Sequence, residues 1–323
     1  MNSDAESAAA LPDFAAVRAA QARIASHAHL TPVLRSRALD AMVGAELWFK
    51  CENLQRSGAF KFRGACNAVW SVDDACAKRG FVTHSSGNHG AALALAARTR
   101  GVSAHVIVPE NAVRTKLAAI QGYGAELHYC APTMAAREAM AEQVRAETGA
   151  EMVHPFTDPR VICGQGTAAL ELLEHAGALD ALITPVGGGG LSAGTALAGH
   201  GLDPRLALYA AEPSGADDAS RSLATGRRVT EQVPDTICDG LRGIIGPLNF
   251  TLLQQHQVQV LTVPDAETLA AMRLIFERMK LVVEPSSAIV LAALLRQREL
   301  FRGRRVGVIL SGGNVELDAL HFA

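Results

Sequence analysis

Short apolar runs alternate with segments of helical apolar spacing along most of this chain. Phe81–His84, Ala104–Val108, Ala125–Tyr129 and Met152–Pro155 read as strands separated by helices. The pattern resumes at Ala181–Val186, Leu206–Ala211, Val258–Val263 and Arg305–Leu310, and an earlier run, Leu47-Trp48-Phe49, is also strand-like. Such alternation predicts the α/β class, with parallel sheets covered by helices. The first series predicts a small domain over residues 70–160, and residues 1–69 with 161–323 a larger one. Loops at strand C-termini converge on the cleft between them, where ligands bind in such folds.

Three junctions in this pattern carry polar chemistry. Lys61 lies in Ser57-Gly58-Ala59-Phe60-Lys61-Phe62-Arg63-Gly64-Ala65, shortly after the first apolar run. An amine among apolar groups loses solvation of its charged form, so its pKa falls and it becomes a better nucleophile, suited to Schiff-base chemistry. The window alone fits a snorkelling helix lysine equally well. Thr184-Pro185-Val186-Gly187-Gly188-Gly189-Gly190-Leu191 joins a strand to the helix-like stretch Leu191–Ala198. Consecutive N–H groups and a helix N-terminus there make an anion cradle, although four glycines also suit a flexible turn. Neither a nucleoside-triphosphate loop nor a dinucleotide fingerprint is present. Thr83-His84-Ser85-Ser86-Gly87-Asn88-His89-Gly90 precedes an alanine-rich helix. Its hydroxyls and amide suit a carboxylate or a ring substituent, and Ser86 or Asn88 alternatively caps the helix.

Further segments add candidate roles. Glu212 and Asp218, with a backbone carbonyl between them, form an oxygen-only set suited to Mg²⁺, Ca²⁺ or Mn²⁺; an exposed acidic turn is the plainer alternative. Arg137, at the start of a helix-like run, reads on its own as an ordinary surface arginine. Glu284-Pro285-Ser286-Ser287-Ala288 opens a helix over 286–295, with proline in the first turn and a serine cap predicted.

Taken in order, the lysine motif, Ser-Ser-Gly-Asn-His, the tetraglycine loop, Glu-Pro-Ser-Gly-Ala-Asp-Asp, Glu-Pro-Ser-Ser-Ala and Ser-Gly-Gly-Asn resemble the serine/threonine dehydratase group of pyridoxal-phosphate enzymes. That group has the tryptophan-synthase-β type of fold and includes serine racemases and 3-hydroxyaspartate dehydratases. The resemblance runs from about Leu30 to Asp318. It implies fold type II, with two open parallel-sheet domains and the cofactor in the cleft between them. It implies that Lys61 forms the internal aldimine, Phe60 lies beside the ring and Asn88 binds the ring hydroxyl. Gly187, Gly188, Gly189, Gly190 and Leu191 match the phosphate loop, and Ser311 the partner of the pyridine nitrogen. Gly240 and Glu284 match cofactor-lining positions. Ser86 matches the hydroxyl opposite the lysine, and Ser85, Ser86, Asn88, His89 and Arg137 match substrate contacts. Glu212, Ala216 and Asp218 match a divalent-cation site. Many relatives carry serine two residues before the lysine, where this chain has Ala59, a departure shared with some hydroxyaspartate-active members.

The implied activity is β-elimination from serine, threonine or 3-hydroxyaspartate to a 2-keto acid and ammonia, with serine racemisation as a side activity. The competing readings are β-replacement of the cysteine-synthase kind and a non-catalytic nucleotide-binding protein. The resemblance also implies a homodimer, and the chain ends too soon after Asp318 for the regulatory domain of long threonine deaminases. A formal charge of −2 gives no reason to invoke nucleic acid or an anionic membrane. No apolar run is long enough for a membrane span, and the N-terminus, with Asp4 and Glu6, lacks signal-peptide order. Six scattered cysteines predict reduced thiols in a cytoplasmic protein. The scattered histidines exclude a zinc-hydrolase motif.

Overall fold

The computed structural model describes residues 11–112 and 114–316. Asp4, Glu6 and Asp318 lie outside them. Ten strands occur among the described residues: β1 (Val33–Leu34), β2 (Glu46–Cys51), β3 (Phe81–His84), β4 (Ala104–Pro109), β5 (Glu126–Cys130), β6 (Glu151–Met152), β7 (Ala181–Pro185), β8 (Ala207–Pro213), β9 (Gln259–Val263) and β10 (Arg305–Leu310). They form a six-stranded sheet in the order β1-β2-β10-β7-β8-β9 and a four-stranded sheet in the order β5-β4-β3-β6. Every pairing is parallel except β1 with β2. The α/β class and parallel sheets follow the apolar pattern. Two strands depart from it. β1 is too short to show a period, and β6 stops at Met152 because the chain turns away before Pro155.

Side-chain alternation divides the large-sheet core. On β7, Ile183 packs with Phe49, Val308 and Ile289 on one face, while Leu182 packs with Leu170, Leu197 and Ile309 on the other. Val82 and Ile107 face one side of the small sheet, and Val106 and Val108 the other. The Lys61–Ser71 helix links the two parts: Phe62, Ala65 and Val69 are buried with Phe81, Leu93, Val153 and Val161. Among the described residues, no helix is long and apolar enough to cross a membrane.

Helix starts fall into two kinds. Asp13, Thr133 and Asp158 accept first-turn N–H groups in the ordinary way. The helices Asn88–Arg100, Gly190–Leu202 and Pro285–Arg296 begin with no side-chain cap. Each of these three starts carries one of the sequence motifs.

Candidate active site

Registration of β2 beside β10, with Leu310 opposite Cys51, brings the lysine motif to the turn after β10. The Phe60 N–H donates to the Ser311 carbonyl at 2.9 Å, and Ala59 bridges Gly312. Ser311 is buried beside that junction. Lys61 opens its helix half-buried; its Nζ donates to the Pro155 carbonyl at 2.8 Å and lies 5.3 Å from the Phe60 ring centre. Desolvation pulls its pKa down to about 8, against the opposing pull of the Glu284 carboxylate. The sequence places Lys61 between two phenylalanines, but only Phe60 borders the amine. Successive helical residues point about 100° apart, which sends Phe62 into the core.

At the end of β3, Ser85 and Ser86 are half-buried, and Gly87 occupies the N-cap position. Neither Ser86 nor Asn88 caps this helix, contrary to the capping alternative. The Asn88 Nδ2 instead donates to both Glu284 oxygens, at 3.0 Å each, and its Oδ1 accepts from Asn314 at 2.9 Å. His89 is buried with Nε2 3.3 Å from the Val153 carbonyl, so that nitrogen carries the proton. Burial, and then the charge on Lys61, hold its pKa well below the ordinary histidine value. The uncapped first-turn N–H groups beside these residues suit a carboxylate.

The tetraglycine loop runs from β7 to the Gly190–Leu202 helix, with Gly189 at φ +87° as N-cap. A Cβ on Gly187 would stand 2.8 Å from the Leu241 Cα, and one on Gly188 would stand 2.4 Å from the Phe156 ring. Asn249 donates to the Phe156 carbonyl at 2.9 Å and to the Gly188 carbonyl. Its Oδ1 is buried with no partner among the described residues. The Leu191 side chain is buried in the large-sheet core, so only its backbone is available to a ligand. Gly240 donates its N–H to the Ser286 Oγ at 2.9 Å. That bond corrects the predicted serine cap: the N-cap of the Pro285–Arg296 helix is Glu284, with Pro285 following it. A desolvated amine, an uncapped anion cradle and a neutral serine at the end of β10 match the aldehyde, phosphate and ring nitrogen of pyridoxal phosphate.

The acidic candidates are not an exposed turn. Glu212, at the end of β8, is buried and accepts the Ala219 and Ser220 N–H groups, each at 2.8 Å. Asp218 is buried and accepts the Ile245 N–H at 2.7 Å. Ala216, buried between them, spends its N–H on the Pro213 carbonyl. Burial pushes the Glu212 carboxyl up to about 8, against its two backbone hydrogen bonds, with Asp218 adding to the rise. Burial likewise raises Asp218. Two buried acids, each with its pKa raised by burial, form a donor set that fits a hard divalent cation.

Arg137 stands in the first turn of the Met134–Thr148 helix, half-buried, and its Nε is buried with no partner among the described residues. Burial lowers the pKa of His84, next to Ser85; the charge of Glu138 opposes this and that of Arg137 reinforces it.

A family model described as pyridoxal-phosphate dependent enzyme matches residues 24–312. The chain belongs to the family of pyridoxal-phosphate dependent enzymes. Among its relatives, serine racemase of Dictyostelium discoideum is 47% identical over 308 residues, covering 94% of this chain and 95% of the relative. A beta-hydroxyaspartate dehydratase of Paracoccus denitrificans is 45% identical over 310 residues, covering 96% and 98%. The solved structure of maize serine racemase matches with a TM-score of 0.93 at 43% identity, covering 96% of this chain and 95% of that one. The fold is therefore that of the type II pyridoxal-phosphate enzymes.

This pyridoxal-phosphate enzyme also uses residues that no motif marks. His154 accepts the Phe156 and Thr157 N–H groups on Nδ1, at 3.3 and 3.0 Å. Burial, then the charges of His84 and Lys61, take its pKa down to about 4. The neutral ring holds a turn that offers the Pro155 carbonyl to Lys61 and the Phe156 ring to Gly188. Two residues beyond Lys61, buried Arg63 donates to Glu52 at 2.7 and 2.8 Å and to Glu171 twice at 2.7 Å. Buried Lys50 also donates to Glu171, at 2.6 Å. Burial alone would raise the Glu52 carboxyl, but Arg63 outweighs it and the pKa falls. This paired cluster fixes the start of the lysine helix against β2 and the Pro159–Ala176 helix. Its sequence signal is only a scatter of distant charges.

Proposed function

We propose that this protein eliminates the β-hydroxyl of a β-hydroxy amino acid, yielding a 2-keto acid and ammonia, with 3-hydroxyaspartate as the preferred substrate class. The Lys61 amine, beside an uncapped helix start and a glycine cradle, carries the reading. When bound, pyridoxal phosphate supplies an electron sink that acidifies the Cα–H of an attached amino acid. Gly187 to Leu191 would hold the phosphate through backbone N–H groups, and Asn88, fixed by Glu284 and Asn314, would hold the ring hydroxyl. Ser311 would stand as a neutral partner for the ring nitrogen, which would favour loss of the β-substituent over transamination.

Lys61 takes the Cα proton; a pKa of about 8 suits a general base working near neutral pH. Ser85, Asn88 and His89 orient the substrate carboxylate at the helix start. Ser86, opposite Lys61, returns a proton to the other face of Cα, which adds serine racemisation to elimination. Glu212, the Ala216 carbonyl and Asp218 hold a divalent cation in a structural role. Residues 70–160 act as the small domain that covers the cleft. The buried, unpartnered Arg137 Nε supports a contact with a second substrate carboxylate.

The test is a panel of L-serine, D-serine, L-threonine and both 3-hydroxyaspartate diastereomers, following keto acid and residual enantiomer. One hydroxyaspartate diastereomer should be turned over fastest, and Arg137→Ala should reduce its kcat/KM at least about tenfold more than that of L-serine. Equal losses on both substrates, or thioether formation without keto acid, would contradict the proposal.

A further inference from the structure

A second constellation lies on the small sheet. His105 is the second residue of β4, and Glu126 and His128 are the first and third of β5. The register sets His105 opposite Glu126 and Ile107 opposite His128. Alternation therefore puts all three side chains on one face, while Val106 and Leu127 pack with Leu117 and Ile120 on the other. This is the starting end of both strands. The Ser85–Gly87 loop follows the finishing end of β3, so the cluster lies at the opposite end of the sheet from Lys61's cleft.

The ligating atoms converge. His105 Nδ1 is 3.1 Å from His128 Nε2 and 3.4 Å from the Glu126 Oε2, and His128 Nε2 is 3.8 Å from the Glu126 Oε1. Tetrahedral zinc with bonds of about 2.05 Å separates its ligands by about 3.3 Å. The His105–His128 and His105–Oε2 spacings bracket that edge, and with one oxygen from Glu126 the three ligating atoms lie within 4.8 Å of one another. Accessibility grades from His105, with 10% of its side chain exposed, through His128 at 21% to Glu126 at 66%, which leaves an open side for a water ligand. Two imidazoles and a carboxylate select a borderline transition metal over Mg²⁺ or Ca²⁺.

We propose that His105, Glu126 and His128 form a zinc site, with water as the fourth ligand, that clamps edge strand β5 to β4. The ring nitrogens now facing each other share one proton. On binding, the donating ring moves that proton to its other nitrogen, so both facing nitrogens become lone-pair donors and no redox partner is needed.

The test uses the holoenzyme in excess Mg²⁺, which occupies hard oxygen sites, titrated with Zn²⁺ by calorimetry and with Co²⁺ by visible absorption. One equivalent should bind, and Glu126→Gln and His128→Gln should each weaken it by about tenfold or more. Both substitutions leave buried His105 intact and should leave keto-acid formation unchanged. Absence of binding, or equal binding by wild type and both variants, would overturn the assignment. Because neither outcome depends on the chemistry in the cleft, failure here would not count against the proposed elimination.

Discussion

At the residue scale, Lys61 differs from an exposed lysine in one quantity. Its amine is desolvated against the Phe60 ring and the Pro155 carbonyl, and its pKa stands at about 8 rather than 10.5. Only the neutral amine attacks an aldehyde. The rate at which the cofactor-free protein captures pyridoxal phosphate should therefore rise with pH and level off above about pH 8. A stopped-flow titration with a midpoint near the ordinary lysine value would show that the amine is not desolvated. His154 helps to set this environment yet was illegible in the sequence. Its role comes from accepting two N–H groups in its own turn, and local composition does not mark such a turn.

At the element scale, the Asn88–Arg100, Gly190–Leu202 and Pro285–Arg296 helices are among those that start without a side-chain cap, and each begins within a sequence motif. The glycine loop was readable because consecutive glycines have few structural uses. Which glycine matters most was not, because that depends on Phe156, which is distant in sequence. A methyl group on Gly188 meets that ring at 2.4 Å, and the ring is held by the turn around His154. Overpacking of this kind costs about 1–3 kcal/mol. Gly188→Ala should weaken pyridoxal-phosphate retention about tenfold or more while leaving the far-ultraviolet circular dichroism unchanged. Wild-type retention in a fluorescence titration would show that the loop does not hold the phosphate. The strands were legible for a simpler reason: β7 and β10 are apolar on both faces and bounded by turns. β1 and β6, each only a residue pair, carry no period to read.

At the scale of the whole molecule, the buried acids connect the end of β8 to the Asp218–Thr225 helix and the Ile245 loop. Without a cation, the Glu212 carboxyl keeps its proton up to about pH 8, whereas an unfolded chain releases it near 4.5. The folded state therefore binds the extra proton between those values, and its stability falls as pH rises through them. Chelated holoenzyme should lose thermal stability from about pH 5 to about pH 8, and Mg²⁺ or Ca²⁺ should restore it more at the higher pH. A melting temperature indifferent to chelator at both pH values would remove the metal from the account.

The proposed elimination depends on where the cofactor is joined to the chain. Borohydride reduction of freshly purified enzyme, followed by peptide mass mapping, tests this most directly. One pyridoxyl adduct is expected, on the peptide containing Lys61, and none in Lys61→Ala. A colourless protein with no adduct, or an adduct on Lys50 or Lys280 instead, would contradict it.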